Sequence, residues 1–171
     1  TLVAYSAFML TKVHEYIDTD HVLIVQRDGF ILNSGSFKES WLQFDYIAPL
    51  FIQFDLVGSG GFSMRSKRLM QETARVTPYW DGTQEHADII QEGLGYYEDG
   101  VITLSHKYQN FKFADLHNAC EFAQGGNRTP QYFREKPFGF HRTWQTIDFK
   151  TGHVDSSDLS KDLHVNYDNE L

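Results

Sequence analysis

The chain has 171 residues, enough for one domain with a core of its own and too few for two full-sized ones. Apolar residues make up 41% and aromatic residues 15%, with 14 Phe and 9 Tyr, which argues against a disordered chain. A formal charge of −8 disfavours a nucleic acid as partner, because phosphate backbones are bound mainly by Lys and Arg, but it allows a nucleotide diphosphate with a divalent cation between the two negative groups.

From Leu2 to Tyr16 apolar residues recur at helical intervals and predict a helix. Val22-Leu-Ile-Val25 is a short continuous apolar run of the kind expected for a central strand covered on both faces. Phe30-Ile-Leu32 and the turn-prone Asn33-Ser-Gly-Ser36 follow. Ser36 with Glu39 reads as a capping box at the head of a helix from Phe37 to Phe44. Asp45-Tyr-Ile47 returns as a strand that Pro49 stops. The glycine-rich Val57–Gly61 predicts a loop, Phe62–Arg65 a short strand and Ser66–Arg75 a helix. Further helices are predicted at Glu85–Leu94 and Phe113–Phe122, with 101–108 open between helix and strand. Gly125–Pro130 reads as a loop, and Pro137-Phe-Gly-Phe-His141 closes the folded region. Strands alternating with helices predict an α/β layered domain over residues 1–149, with a polar tail from 150 to 171.

Four places could carry chemistry. Gln26-Arg-Asp28 stands at the exit of the apolar strand, where α/β sheets present ligand groups, and an Asp there suits Mg2+ or Mn2+. The same tripeptide also fits a turn whose Asp caps the next segment. In Val57-Gly-Ser-Gly-Gly-Phe-Ser-Met-Arg65 the glycines Gly58, Gly60 and Gly61 permit positive φ or close backbone approach, Ser63 can meet a sugar or phosphate, and Arg65 is a fork for phosphate or carboxylate. No Gly-Lys-Ser/Thr follows and the glycine spacing is not a dinucleotide fingerprint; a plain tight turn remains the alternative. Glu98-Asp99 is a carboxylate pair able to serve as general base, or a pair of solvated acids before Gly100. His141 lies among Phe138, Phe140 and Trp144, which fits a part-buried metal ligand as well as a structural histidine. His106, His117 and His153 read as surface residues, without zinc-site spacing.

Taken in order, these pieces resemble the four-part core of glycosyltransferases of the GT-A fold. Val22–Gly29, Phe44–Pro49, Val57–Ser66 and Phe138–His141 more closely resemble the DUF5672 family, a glycosyltransferase-like domain. The resemblance implies a layered α/β/α nucleotide-sugar transferase sheet, met after the strand and helix that bind the nucleotide base. It implies Asp28 and His141 as ligands of Mn2+ or Mg2+, and Gly60, Gly61 and Ser63 as the acceptor-side loop. Asp99 would be the base, with Glu98 beside it. Gln26 stands where many relatives have an acid, so one carboxylate would carry the metal. The expected partners are a nucleotide-sugar donor and a glycan or other hydroxyl acceptor, and the expected reaction is inverting transfer. The alternatives are a glycan- or nucleotide-binding domain without turnover and a metallohydrolase on the same Asp and His.

Cys120 is the only cysteine, which excludes an intrachain disulfide and favours a cytoplasmic setting. Asn127-Arg-Thr129 matches a glycosylation sequon that would matter in a Golgi-type lumen, were the chain part of a larger eukaryotic protein. No apolar run approaches the roughly 20 residues of a membrane span, so a soluble protein is expected.

Overall fold

The computed structural model describes residues 2–51, 56–77, 97–104, 110–125, 134–141, 147–148, 150–151 and 153–154. The predicted helix at Glu85–Leu94, the loop beyond Gly125 with its sequon, His106, Trp144 and most of the polar tail lie outside these residues. Over the described residues the chain is a small mixed α/β domain carrying two three-stranded sheets and a two-stranded one.

The first sheet orders β1 (His21–Val25), β4 (Phe62–Ser66) and β3 (Tyr46–Ile47), both pairings antiparallel. The apolar run at Val22–Val25 does become a strand, but not the central one expected. Among the described residues β1 pairs on one side only, its first four residues are half-buried and Val25 is exposed. The centre belongs to β4, all five of whose residues are buried. Its Phe62 and Met64 pack into an aromatic cluster with Trp41, Phe122 and Phe138, while Ser63 and Arg65 alternate to the other face. Composition points to the wrong strand because Ser63 and Arg65 bond to each other, to Gly60 and to Glu98, so a Ser and an Arg stand at buried positions.

Helix α1 (Leu2–Thr11) continues through a 3-10 turn at Val13–Tyr16, in place of one helix to Tyr16, and packs against α2 (Lys67–Val76) and α3 (Glu98–Leu104). Met9, Val13 and Ile17 meet Met70, with Val22 and Ile24 of β1 packed on them. Ser66 caps α2: its Oγ accepts from the Leu69 N–H at 3.1 Å and donates to Asp45 Oδ1 at 2.6 Å. Leu69, Met70 and Thr73 form the buried face of α2, and the Thr73 hydroxyl lies 3.0 Å from Leu10 O. The ambiguous stretch after Val101 is helical as far as Leu104.

The capping-box helix at Phe37–Phe44 does not form. Ser36 ends a separate 3-10 turn (Ser34–Ser36), Phe37 and Lys38 are extended, and a second 3-10 turn covers Glu39–Gln43. Phe37 meets Trp41 and Phe138 edge-on at 5.7 and 5.5 Å between centroids, and Trp41 is fully buried. Burying this aromatic group outweighs a local hydrogen-bond pattern worth on the order of 1 kcal/mol.

The predicted Phe113–Phe122 helix starts later, as α4 (Leu116–Phe122), because Asp115 caps it through the Asn118 N–H at 2.8 Å. The second sheet orders β2 (Gly29–Ile31), β6 (Gly139–His141) and β5 (Ala123–Gln124), antiparallel then parallel. A short antiparallel pair, β7 (Ile147–Asp148) and β8 (His153–Val154), follows. No helix among the described residues is long and apolar enough to cross a membrane.

Candidate functional site

Register decides where the chemistry gathers. Val25 of β1 pairs with Phe62 of β4, so the exit of one strand lies beside the start of the other. Gln26–Asp28 therefore turns against the Gly58–Gly61 loop, and the Gln26 N–H donates to Gly61 O at 2.8 Å. Gly29 opens β2 and pairs with His141 of β6, which brings the far end of the folded region to the same spot.

His141 is 2% exposed. Its Nε2 lies 3.4 Å from Asp28 Oδ1 and its Nδ1 lies 2.9 Å from Ser59 Oγ. Gly61 is what admits the ring: a Cβ there would stand 2.0 Å from His141 Nε2 and 2.7 Å from Gln26 Oε1. Gly60 is equally constrained, its would-be Cβ 2.8 Å from both Arg65 Nη2 and Glu98 Oε1. Neither glycine has left-handed backbone, so of the two reasons the sequence offers for them, close approach is the operative one. Gly58 is a packing glycine that lies against the Phe51 ring.

On the other side of the loop, the Gly60 N–H donates to Asp99 Oδ2 at 2.9 Å and the Gly100 N–H to Asp99 Oδ1 at 2.8 Å. Burial, then the neighbouring Glu98 charge, pushes the Asp99 carboxyl up to about 6, against the pull of those two amides. Glu98 and Asp99 occupy the first turn of α3, and Glu98 is 3% exposed, which removes the reading of a solvated pair. Arg65 is fully buried and forks inward. Nη2 donates to Glu98 Oε1 at 3.0 Å and Nε to Ser63 Oγ at 2.9 Å, and the Ser63 hydroxyl donates to Gly60 O at 2.9 Å. Of the two partners its sequence context allowed, Arg65 takes a carboxylate, and with Ser63 and Glu98 it holds the loop from beneath. Asp28 is half-buried, with its side chain 37% accessible.

Residues 1–141, most of the chain, match the family model described as "Protein of unknown function (DUF5672)". The chain belongs to the DUF5672 family. No curated protein and no solved structure matches it.

In this DUF5672 chain Asp28 and His141 could together hold a divalent cation, the Asp28 carboxylate being the donor suited to Mg2+ or Mn2+ and the His141 imidazole a borderline one. Among the described residues no group of three or more His, Cys, Asp or Glu side chains is placed to enclose a metal, so a protein-only cage is not built here. Two surface depressions, one between Lys12 and Arg75 and one beside Asp45 and Arg68, lie away from this cluster.

Three contributors are missing from the sequence reading. Ser59 stood inside the glycine-rich stretch and could have been singled out as a hydroxyl next to a suspected ligand loop. Ser6 and Tyr5 gave no signal, because α1 comes to the site only in the folded chain. The Ser6 hydroxyl donates to Glu98 Oε2 at 3.4 Å. Burial, then the charge of Glu98, raises the Tyr5 hydroxyl above the ordinary tyrosine value.

Proposed function

We propose that the chain is the catalytic part of a metal-dependent, inverting glycosyltransferase of GT-A-like arrangement, moving a sugar from a nucleotide-sugar to a hydroxyl acceptor. One observation carries this reading: a single loop, Gly60–Gly61, touches both the carboxylate fit to be a base and the Asp28–His141 pair fit to hold a cation. Base and leaving-group stabiliser need to flank one reacting centre, and sequence positions as distant as 28, 60, 99 and 141 meet across that loop.

Asp28 and His141 would hold Mn2+ or Mg2+, which supplies Lewis acidity to the leaving diphosphate. Asp99 takes the proton of the acceptor hydroxyl as its oxygen attacks the anomeric carbon and the bond to the diphosphate breaks. A carboxyl raised to about 6 is a better base at neutral pH than an ordinary aspartate, because its basicity is closer to the working pH while it remains mostly ionised. Glu98, locked to Arg65, adds its charge to the burial that raises Asp99. Gly60, Gly61 and Ser63 shape the floor on which the acceptor would lie.

The test is release of nucleoside diphosphate from a panel of nucleotide-sugars, with mixed hydroxyl acceptors and Mn2+. Turnover abolished by chelator and by Asp28→Asn, with an inverted product, is the expected result. Retained stereochemistry would overturn the base mechanism. Calorimetric binding of an acceptor with no turnover of any donor would replace a transferase by a binding domain.

A further inference from the structure

Ser59, Gly61 and Asp28 surround one imidazole, and their contacts are unequal. Ser59 Oγ is 2.9 Å from His141 Nδ1, a full hydrogen bond, whereas Asp28 Oδ1 stands 3.4 Å from Nε2. The Asp28 end is the more open, its side chain 37% accessible; Ser59 is half-buried behind a ring that is itself 2% exposed. A serine nucleophile needs the opposite layout, an open hydroxyl and a buried acid.

We propose that Ser59 is a positioning residue that fixes the ring of His141 through Nδ1 and keeps Nε2 aimed at the Asp28 carboxylate, whichever ring nitrogen carries the proton. The proposal rests on reading the Asp28–His141 edge as the cation site. A hydroxyl suits the task because it both donates and accepts. Without a cation, Nε2–H faces the Asp28 carboxylate and the Ser59 hydroxyl donates to Nδ1. Were Nε2 and Asp28 to hold a cation, the ring proton would sit on Nδ1 and Ser59 would accept it. A carboxylate or a backbone carbonyl, acceptors only, would hold one of these states alone. The partner of the second ring nitrogen orients a ligating histidine, and its loss typically costs about 10–100-fold in metal affinity.

The experiment compares wild type, Ser59→Ala and Ser59→Thr, first checked for matching circular dichroism. In cation-free protein, long-range 1H–15N correlation of His141 reads the tautomer. Wild type and Ser59→Thr should each show one tautomer protonated at Nε2, and Ser59→Ala a mixture. Titration with Mn2+ should then give an affinity about 10–100-fold weaker in Ser59→Ala and close to wild type in Ser59→Thr. An unchanged tautomer in Ser59→Ala overturns the proposal whatever Mn2+ does. So does labelling of Ser59 by a fluorophosphonate, which would make it a nucleophile. A wild type that binds no Mn2+ while Ser59→Ala still mixes its tautomers would leave Ser59 as the positioner and remove the cation reading.

Discussion

Asp99→Asn should make the protein more stable at neutral pH while removing the proposed base. Burial and Glu98 hold the carboxyl at about 6 in the folded chain against an ordinary 3.8. Between those values the folded state keeps a proton that the unfolded chain releases, so stability falls as pH rises from about 4 to about 6 and stays lower above. The shift of roughly two units is worth on the order of 3 kcal/mol. Asparagine removes the charge but turns an NH2 toward one of the two backbone amides, of Gly60 and Gly100, that now reach a carboxylate oxygen. That loss returns about 1 kcal/mol. The variant should therefore be more stable than wild type by about 2 kcal/mol at pH 7, or about 4–8 °C in Tm for a chain of this size. The gap should shrink on acidification and vanish between about pH 4 and 5. Thermal and urea unfolding of both proteins at half-unit steps from pH 4 to 8 would measure it. A variant less stable than wild type at pH 7, or a gap that does not change with pH, would refute the burial argument for Asp99.

Two further substitutions probe the loop and its support. Gly61→Ala places a methyl 2.0 Å from His141 Nε2 and 2.3 Å from Cε1, so the ring has to leave its position. Overpacking should cost about 1–3 kcal/mol in urea unfolding, and calorimetry should show loss of Mn2+ binding. Arg65→Met strands Glu98 in a buried site without its cation and should cost about 3–5 kcal/mol, most of it regained in the Arg65→Met, Glu98→Gln pair. Denaturant midpoints of the single and double variants check this, and a double variant no better than Arg65→Met alone would contradict it.

Much of the scaffold was readable where local chemistry and tertiary demand agree. The helix that follows β4 and the glycine-rich turn before it are local features, and each forms within a residue of where the sequence places it. The Phe37–Phe44 helix failed because a capping box is weaker than the pull of Trp41 and Phe37 into the aromatic cluster. The order of strands was illegible because a β-branched run and a Ser/Arg-bearing strand look unequal in burial until the ion pair to Glu98 is known. At the site, Asp28, Gly60, Gly61, Asp99 and His141 carry recognisable residue types, and the structure brings them together. Ser6 and Tyr5 reach the cluster from α1, Ser6 standing 92 positions before Glu98, and no periodicity could expose them.

The measurement closest to the central claim is Mn2+-supported turnover of a nucleotide-sugar at pH 7 by wild type and by folded Asp99→Asn. A base beside the Gly60–Gly61 loop predicts a rate lower by about 10²–10⁴-fold in the variant, with wild-type kcat/KM rising with pH through about 6. Equal turnover by the two proteins would contradict it.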